Sequence, residues 1–156
     1  MGTMAHSWVQ LFDSELEAFR TYAREYPHNC LLLVDTYNTL KTGIPNAIRV
    51  FNEEILPRGA RPVGIRIDSG DITYLSKKAR KMLDEAGFPD CKITASNALD
   101  EYIIREMILH GAQVDNFGVG ERLITAASDP VFGGVYKLAA VERNGEIIPR
   151  IKVSDN

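Results

Sequence analysis

The chain has 156 residues, a net charge of -3, 45% hydrophobic and 25% charged residues, and two cysteines. This is the balance of an ordinary globular domain with enough chain to bury a core, and it excludes a disordered segment. No Lys/Arg cluster alternates with aromatics, so nucleic acid is not an expected partner, and no apolar run approaches the ~20 residues that span a bilayer.

The N-terminus carries no signal-peptide pattern, and Cys30 and Cys91 lie far apart with no C-x-x-C. They read as buried or free thiols of a reducing compartment, which predicts a cytoplasmic location.

In chain order, Ser14 with Glu17 forms a capping box, and Leu16, Phe19, Ala23 and Tyr26 share a helical face that ends at Pro27. An apolar strand follows at 31–34. A second helix has Pro45 in its first turn and a stripe of Ile48, Phe51 and Ile55. A strand at 63–67 leads into a third helix from Asp71, with Leu75, Ala79, Met82 and Ala86 inward and Gly87 closing it. After a strand at 92–95, a fourth helix takes Asn97 as its N-cap, carries Leu99, Ile103 and Met107, and stops at Gly111. The last parallel-type strand spans 114–119.

Strand and helix alternating every 24 to 32 residues or so predict βα units on a parallel sheet. About four such units make roughly half of a closed (β/α) barrel, so the expected fold is a partial TIM-like barrel over residues 1–133. Past "DPVFGG" the pattern changes. Two extended runs meet at Asn144-Gly145, which predicts a β-hairpin, and residues 134–156 read as the start of an antiparallel domain.

Ligands of parallel α/β folds bind at the carboxyl ends of the strands. Here each strand exits into small or polar residues: Asp35-Thr36, then Arg66, Asp68, Ser69, Gly70 and Asp71, then Ser96-Asn97, then Gly118-Val119-Gly120. Taken singly, each has a plainer role. Ser-Gly-Asp makes a turn and an N-cap, Asn97 is an N-cap, Gly118-x-Gly120 is a tight turn, and His6 is an exposed imidazole near the chain start. Taken together they gather on one rim. Arg66 and Asp68 stand at i and i+2 on one strand face, where each covers the other's charge. Glycine amides and helix N-termini hold phosphate, arginine forks an anion, and carboxylates meet ribose hydroxyls or magnesium. These groups point to an enzyme acting on a phosphorylated sugar.

The motifs "GTMAHSWV", "LLLVDTYNT", "GIRIDSGDI", "ITASNALDE", "DNFGVGERL" and "GGVYKL" cover most of the chain in order. Together they resemble the nicotinate phosphoribosyltransferase family. The resemblance implies a two-part enzyme, of which this chain is the middle-to-late barrel portion, and a homo-oligomer, a dimer in the family. It implies that nicotinate and phosphoribosyl pyrophosphate give nicotinate mononucleotide and pyrophosphate. ATP hydrolysis, with magnesium, is coupled through a phosphohistidine, and no tightly bound organic cofactor is implied.

By position, that histidine resembles His6, and Asp35 the carboxylate that supports it. Arg66 resembles the residue holding the anionic end of the substrate, and Asp68 the carboxylate near ribose and magnesium-bound pyrophosphate. Ser69, Gly70, Asn97, Gly118 and Gly120 resemble the cradle of ribose and phosphate. Asn38 stands where the family pattern has aspartate and Glu121 where it has threonine, so the first removes a charge near His6 and the second sets one beside the cradle.

Three other readings compete. A nicotinamide or quinolinate phosphoribosyltransferase shares the chemistry, although the quinolinate enzyme needs no ATP and so no His6 motif. A non-catalytic barrel fragment acting in assembly fits the unit count. A phosphosugar isomerase or aldolase fits the barrel, with no strand-end lysine for a Schiff base.

Overall fold

The computed structural model describes residues 3–125 and 134–152. A five-residue helix α1 (His6–Gln10) and helix α2 (Glu15–Glu25) precede strand β1 (Leu31–Leu33). The Ser14 hydroxyl caps α2 by accepting from the Glu17 amide. The helix buries Glu15, Ala18, Phe19, Tyr22 and Ala23. Tyr26, expected on that face, is the C-cap and is exposed, because the helix has already ended and its backbone no longer follows the 3.6-residue period.

The second helical stretch begins earlier than Pro45 predicts. Asn38 caps it, its Oδ1 accepting from the Lys41 amide at 2.7 Å, and the first turn (Thr39–Gly43) is a wide π turn ahead of α3 (Ile44–Val50). A proline ring crowds the carbonyl four residues before it, and a wide turn relieves that crowding. Gly43 closes this turn against β1, where a Cβ would collide with the Val34 carbonyl. A further π turn (Phe51–Ile55) and a 3-10 turn (Leu56–Arg58) complete the stretch, with Phe51 and Ile55 buried as the stripe predicts.

Strand β2 (Gly64–Ile67), helix α4 (Ile72–Glu85), strand β3 (Lys92–Ala95), helix α5 (Glu101–Leu109), strand β4 (Asn116–Phe117) and a short α6 (Glu121–Ile124) follow. The four strands form one parallel sheet in the order β1-β2-β3-β4. Helix α4 is capped by Asp71 and closed by Gly87 at φ +85. There the Phe88 amide returns to the Leu83 carbonyl and the Gly87 amide to that of Asp84, a Schellman closure. Gly111 closes α5 in the same way, with Ala112 returning to Met107. The N-cap of α5 is Asp100 rather than Asn97. Asn97 and Ala98 sit before it at φ +88 and +49, a left-handed pair that lets the chain turn off β3.

Beyond the sheet, β5 (Ala140–Arg143) and β6 (Glu146–Pro149) pair antiparallel across Asn144-Gly145, both with positive φ, as the hairpin signal predicts. Arg143 and Arg150 reach Asp13 in the α1–α2 loop and anchor the hairpin to the parallel layer. Of the expected domain boundary, Gly133 lies outside the described residues. The chain is thus α/β, with a four-stranded parallel sheet and a two-stranded antiparallel one.

The core packs both sheet faces. Leu32, Ile65, Ile67 and Ile93 are fully buried, joined by Phe19, Phe51 and Phe88 from the helices and loops. The opposite face is not bare at β1: Thr3 donates to the Leu31 carbonyl, and Met4 and Val9 are buried with it. Exposed apolar side chains gather instead on α5 and α6, among them Tyr102, Ile108, Leu109, Leu123 and Ile124. Cys30 and Cys91 are free and buried, and burial pushes both thiols up to about 12, which leaves them inert.

Glu15 is the least expected core residue. It is 5% exposed and accepts from the Asn46 amide at 2.9 Å. Burial raises its pKa to about 7, with the Asp35 charge adding and polar contacts from Asn46 and Thr42 opposing. The folded chain therefore holds a proton there that the unfolded chain releases near pH 4.5. Stability from this group is complete below pH 4.5 and is lost as pH rises to about 7. In Glu15→Gln, urea midpoints should stay flat across that window while the wild type falls. Above it the variant should be the more stable by on the order of 3 kcal/mol.

Candidate active site

The parallel register decides which polar residues meet. Leu33 pairs with Arg66, Arg66 with Thr94, and Thr94 with Asn116. Two residues further along each strand, on the same face, the same row is Asp35, Asp68, Ser96 and Gly118. The hydrogen bonds follow that row. Asp35 Oδ2 accepts from the Asp68 amide at 2.8 Å and from the Ser69 hydroxyl at 2.6 Å. Ser96 accepts from Arg66 Nε at 2.8 Å and donates to Asp68 Oδ1, which Arg66 Nη2 also reaches at 3.1 Å. Arg66 and Asp68 do cover each other's charge.

Burial pushes the Asp68 carboxyl up, but contacts from His6, Ser96 and Arg66 outweigh it and hold the group well below the usual carboxylate range. Asp68 is a carboxylate at any physiological pH.

His6, the first residue of α1, sits over the β1 and β2 ends. Its Nδ1 lies 3.0 Å from Thr36 Oγ1. Its Nε2 faces two carboxylates, Asp35 Oδ1 at 3.7 Å and Asp68 Oδ2 at 3.5 Å, and makes no hydrogen bond among the described residues. The supporting role expected of Asp35 thus falls differently. The hydrogen bond to the ring comes from Thr36, because Asp35 has turned its other oxygen to the β2 exit. Asp35 acts on His6 through its charge. Thr36 is fully buried, and its side chain bears on the imidazole from the position after Asp35.

The remaining expected residues divide. Ser69 belongs to the cluster, bound to Asp35 and 3.5 Å from Lys152 Nζ. Gly70, at φ +77, makes the turn that lets Asp71 cap α4, so its backbone conformation accounts for the glycine. Asn97 is exposed in the left-handed turn. The Gly118 amide donates to the Ala95 carbonyl at 2.7 Å and so is not available to cradle phosphate. Its lack of a side chain serves Ser96 instead, since a Cβ at Gly118 would lie 3.3 Å from the Ser96 Cβ. A Cβ at Gly120 would meet no atom of the described residues within 4 Å. Glu121 is the exposed first residue of α6, and Asn38 is engaged as a cap, a task aspartate performs equally well.

His6, Arg66 and Asp68 line an open cleft of about 460 Å³. The sheet supplies Leu33, Arg66 and Asp68, the first helix His6 and Gln10, and the segment around the hairpin Tyr136, Lys137 and Lys152. Arg66, Lys137 and Lys152 give it a cationic wall suited to an anionic ligand. Thr36 and Ser96 were read in the sequence only as polar strand exits with no role of their own, and Lys152 was not singled out. Ser96 stands in the same row as Asp35 and Asp68, a signal that exists only once the register is known, and Thr36 directly follows Asp35 at the β1 exit.

No family model matches the chain. Nicotinate phosphoribosyltransferase of Bacillus subtilis is 52% identical over 155 residues, covering 99% of this chain and 31% of that protein. The crystal structure of human nicotinic acid phosphoribosyltransferase superposes with a TM-score of 0.61 at 29% identity, over 67% of this chain and 22% of that one. Nicotinate phosphoribosyltransferase from Porphyromonas gingivalis shares the fold over 100% of this chain and 42% of its own, with a TM-score of 0.71 at 22% identity. The chain spans under a third of the length of the Bacillus relative. Along essentially its whole length it is a homologue of nicotinate phosphoribosyltransferases.

Proposed function

We propose that the chain carries the histidine-centred half of a nicotinate phosphoribosyltransferase active site. The whole enzyme would join nicotinate to phosphoribosyl pyrophosphate, forming nicotinate mononucleotide and pyrophosphate in NAD salvage. The observation that carries the reading is His6, set between Thr36, Asp35 and Asp68 at the floor of a cationic cleft. The likeness to the Bacillus enzyme supports it.

In this reading the four-stranded sheet is part of a TIM-like barrel whose other strands lie in the rest of a full-length chain. The enzyme is a cytoplasmic homodimer, and the hairpin opens its antiparallel domain. ATP is a second substrate. Its γ-phosphoryl passes to an imidazole nitrogen of His6 as the bond to ADP breaks, and water later takes the phosphoryl from the ring. For that step the attacking nitrogen must be unprotonated, and the proton must sit on the other nitrogen. Thr36 holds one ring nitrogen and so orients the imidazole. Asp35 and Asp68 lie close enough to stabilise the ring whenever it is positive.

Arg66, held by Ser96 and Asp68, presents its remaining N–H groups to the ligand anion. At C1 of the ribose, positive charge grows as the bond to pyrophosphate breaks and the pyridine nitrogen attacks. Asp68, always ionised, stabilises that charge. Magnesium arrives with the pyrophosphate. Among the described residues no cluster of three or more His, Cys, Asp or Glu holds a metal by itself. Asp35 Oδ1 is nonetheless a buried carboxylate oxygen with no donor among the described residues, and with Asp68 it suits a hard cation brought in by a ligand.

The test is incubation of the full-length parent with nicotinate, phosphoribosyl pyrophosphate, magnesium and ATP, with the mononucleotide as product. ATP should leave an acid-labile phosphate on the protein. His6→Ala should abolish both the label and ATP coupling, and unchanged labelling would remove His6 from the role. Gly118→Ala should lower kcat/KM at least tenfold, about 1.4 kcal/mol, because the new methyl displaces Ser96 from Arg66 and Asp68. Gly120→Ala should stay within about twofold of wild type. The reverse ranking would restore the phosphate cradle to the Gly118–Gly120 loop.

A further inference from the structure

Helix α1 carries His6 at its start and Gln10 one turn later. Gln10 is 2% exposed, yet its Nε2 meets no hydrogen-bond acceptor among the described residues. A buried donor left unpaired is destabilising, and native structures keep few of them without a reason. The same side chain lines the cleft that holds His6 and Arg66. Positions i and i+4 share a helix face, and helical side chains lean toward the N-terminal end, so Gln10 leans back over the turn that bears the imidazole.

We propose that Gln10 is a positioning residue for the phosphoryl group handled at His6, its amide N–H donating to a phosphoryl oxygen. The inference rests on the reading of His6 as phosphoryl acceptor and adds a neutral donor to it. The chemistry of the place favours neutrality. Asp35 and Asp68 approach the ring at 3.7 and 3.5 Å, and a lysine or arginine one turn from His6 would be drawn into an ion pair with them. An amide holds an anionic oxygen there without that competition. A half-turn of the amide exchanges its two ends, so the donor can face a ligand on either side.

The test uses the full-length parent enzyme with Gln10→Met, which keeps the volume and removes the amide, and Gln10→Asn, which withdraws the amide by one methylene. Calorimetry measures binding of inorganic phosphate and, separately, of nicotinate, and melting of each ligand-free protein is recorded. Gln10→Met should melt at or above the wild-type temperature, because the unpaired donor is gone. It should bind phosphate at least tenfold more weakly and leave nicotinate affinity unchanged. Gln10→Asn should show a loss of the same sign, and it decides the matter if Gln10→Met melts well below wild type. Phosphate affinity equal to wild type overturns the proposal, and so does a loss confined to nicotinate. Formation of mononucleotide by the wild type is scored apart, so failure of the reaction and failure of Gln10 are separate results.

Discussion

The structure turns on a buried carboxylate that bridges two strand ends. Asp35 is 2% exposed, and an ion so placed costs several kcal/mol unless donors surround it. The Asp68 amide and the Ser69 hydroxyl meet one of its oxygens, and His6 lies near the other. These bonds hold the β2 exit against the β1 exit, which fixes where Arg66 and Asp68 present their charges. If Asp35 were removed, the amide of Asp68 would lose its acceptor and the imidazole one of its two charged neighbours.

From that point the cluster builds outward along one row of the sheet. Asp68 leans on Ser96, Ser96 holds Arg66, and Gly118 leaves the room in which Ser96 stands. Arg66 and Asp68 have a task in the cluster and also line the cleft, while Ser96 supports them from beside it. Preorganisation of this kind places fixed dipoles and charges before a ligand arrives, so that little reorganisation is needed during reaction. Helices α4 and α5, closed by Gly87 and Gly111, set the lengths that return the chain to the sheet in this register. The hairpin segment adds Lys137 and Lys152 from the far side, so the cleft has a cationic wall that the parallel sheet alone does not supply.

Much of the fold was legible because its signals are local. Ser14, Asp71, Gly87, Gly111 and Asn144-Gly145 act within one turn of themselves, through a cap or a positive φ, and each stands where the pattern puts it. The failures are also physical. Tyr26 follows the helical period past the point where the helix stops. Pro45 suggests a helix start, but a wide π turn absorbs the ring and Asn38 caps the stretch earlier. Asn97 has the chemistry of an N-cap, yet Asp100 takes the position because two left-handed residues intervene.

The site was legible by rows and not by contacts. Alternation along a strand determines that Arg66 and Asp68 share a face, and the residue types determine that an anionic ligand suits them. Homologous motifs determine which family the chain resembles. Which residue holds His6, whether the Gly118 amide is free, and what lies beside Gln10 depend on how strands 30 residues apart align. A one-residue slip in register would move every one of these side chains to the other face. That alignment comes from the packing of Leu32, Ile65 and Ile93 against the helices, a property of the assembled core. The sequence by itself therefore determined the elements, their order and the chemistry of the rim. Only the tertiary structure decided that Thr36 takes the imidazole, that Ser96 takes the arginine, and that a side chain at Gly118 would press on Ser96.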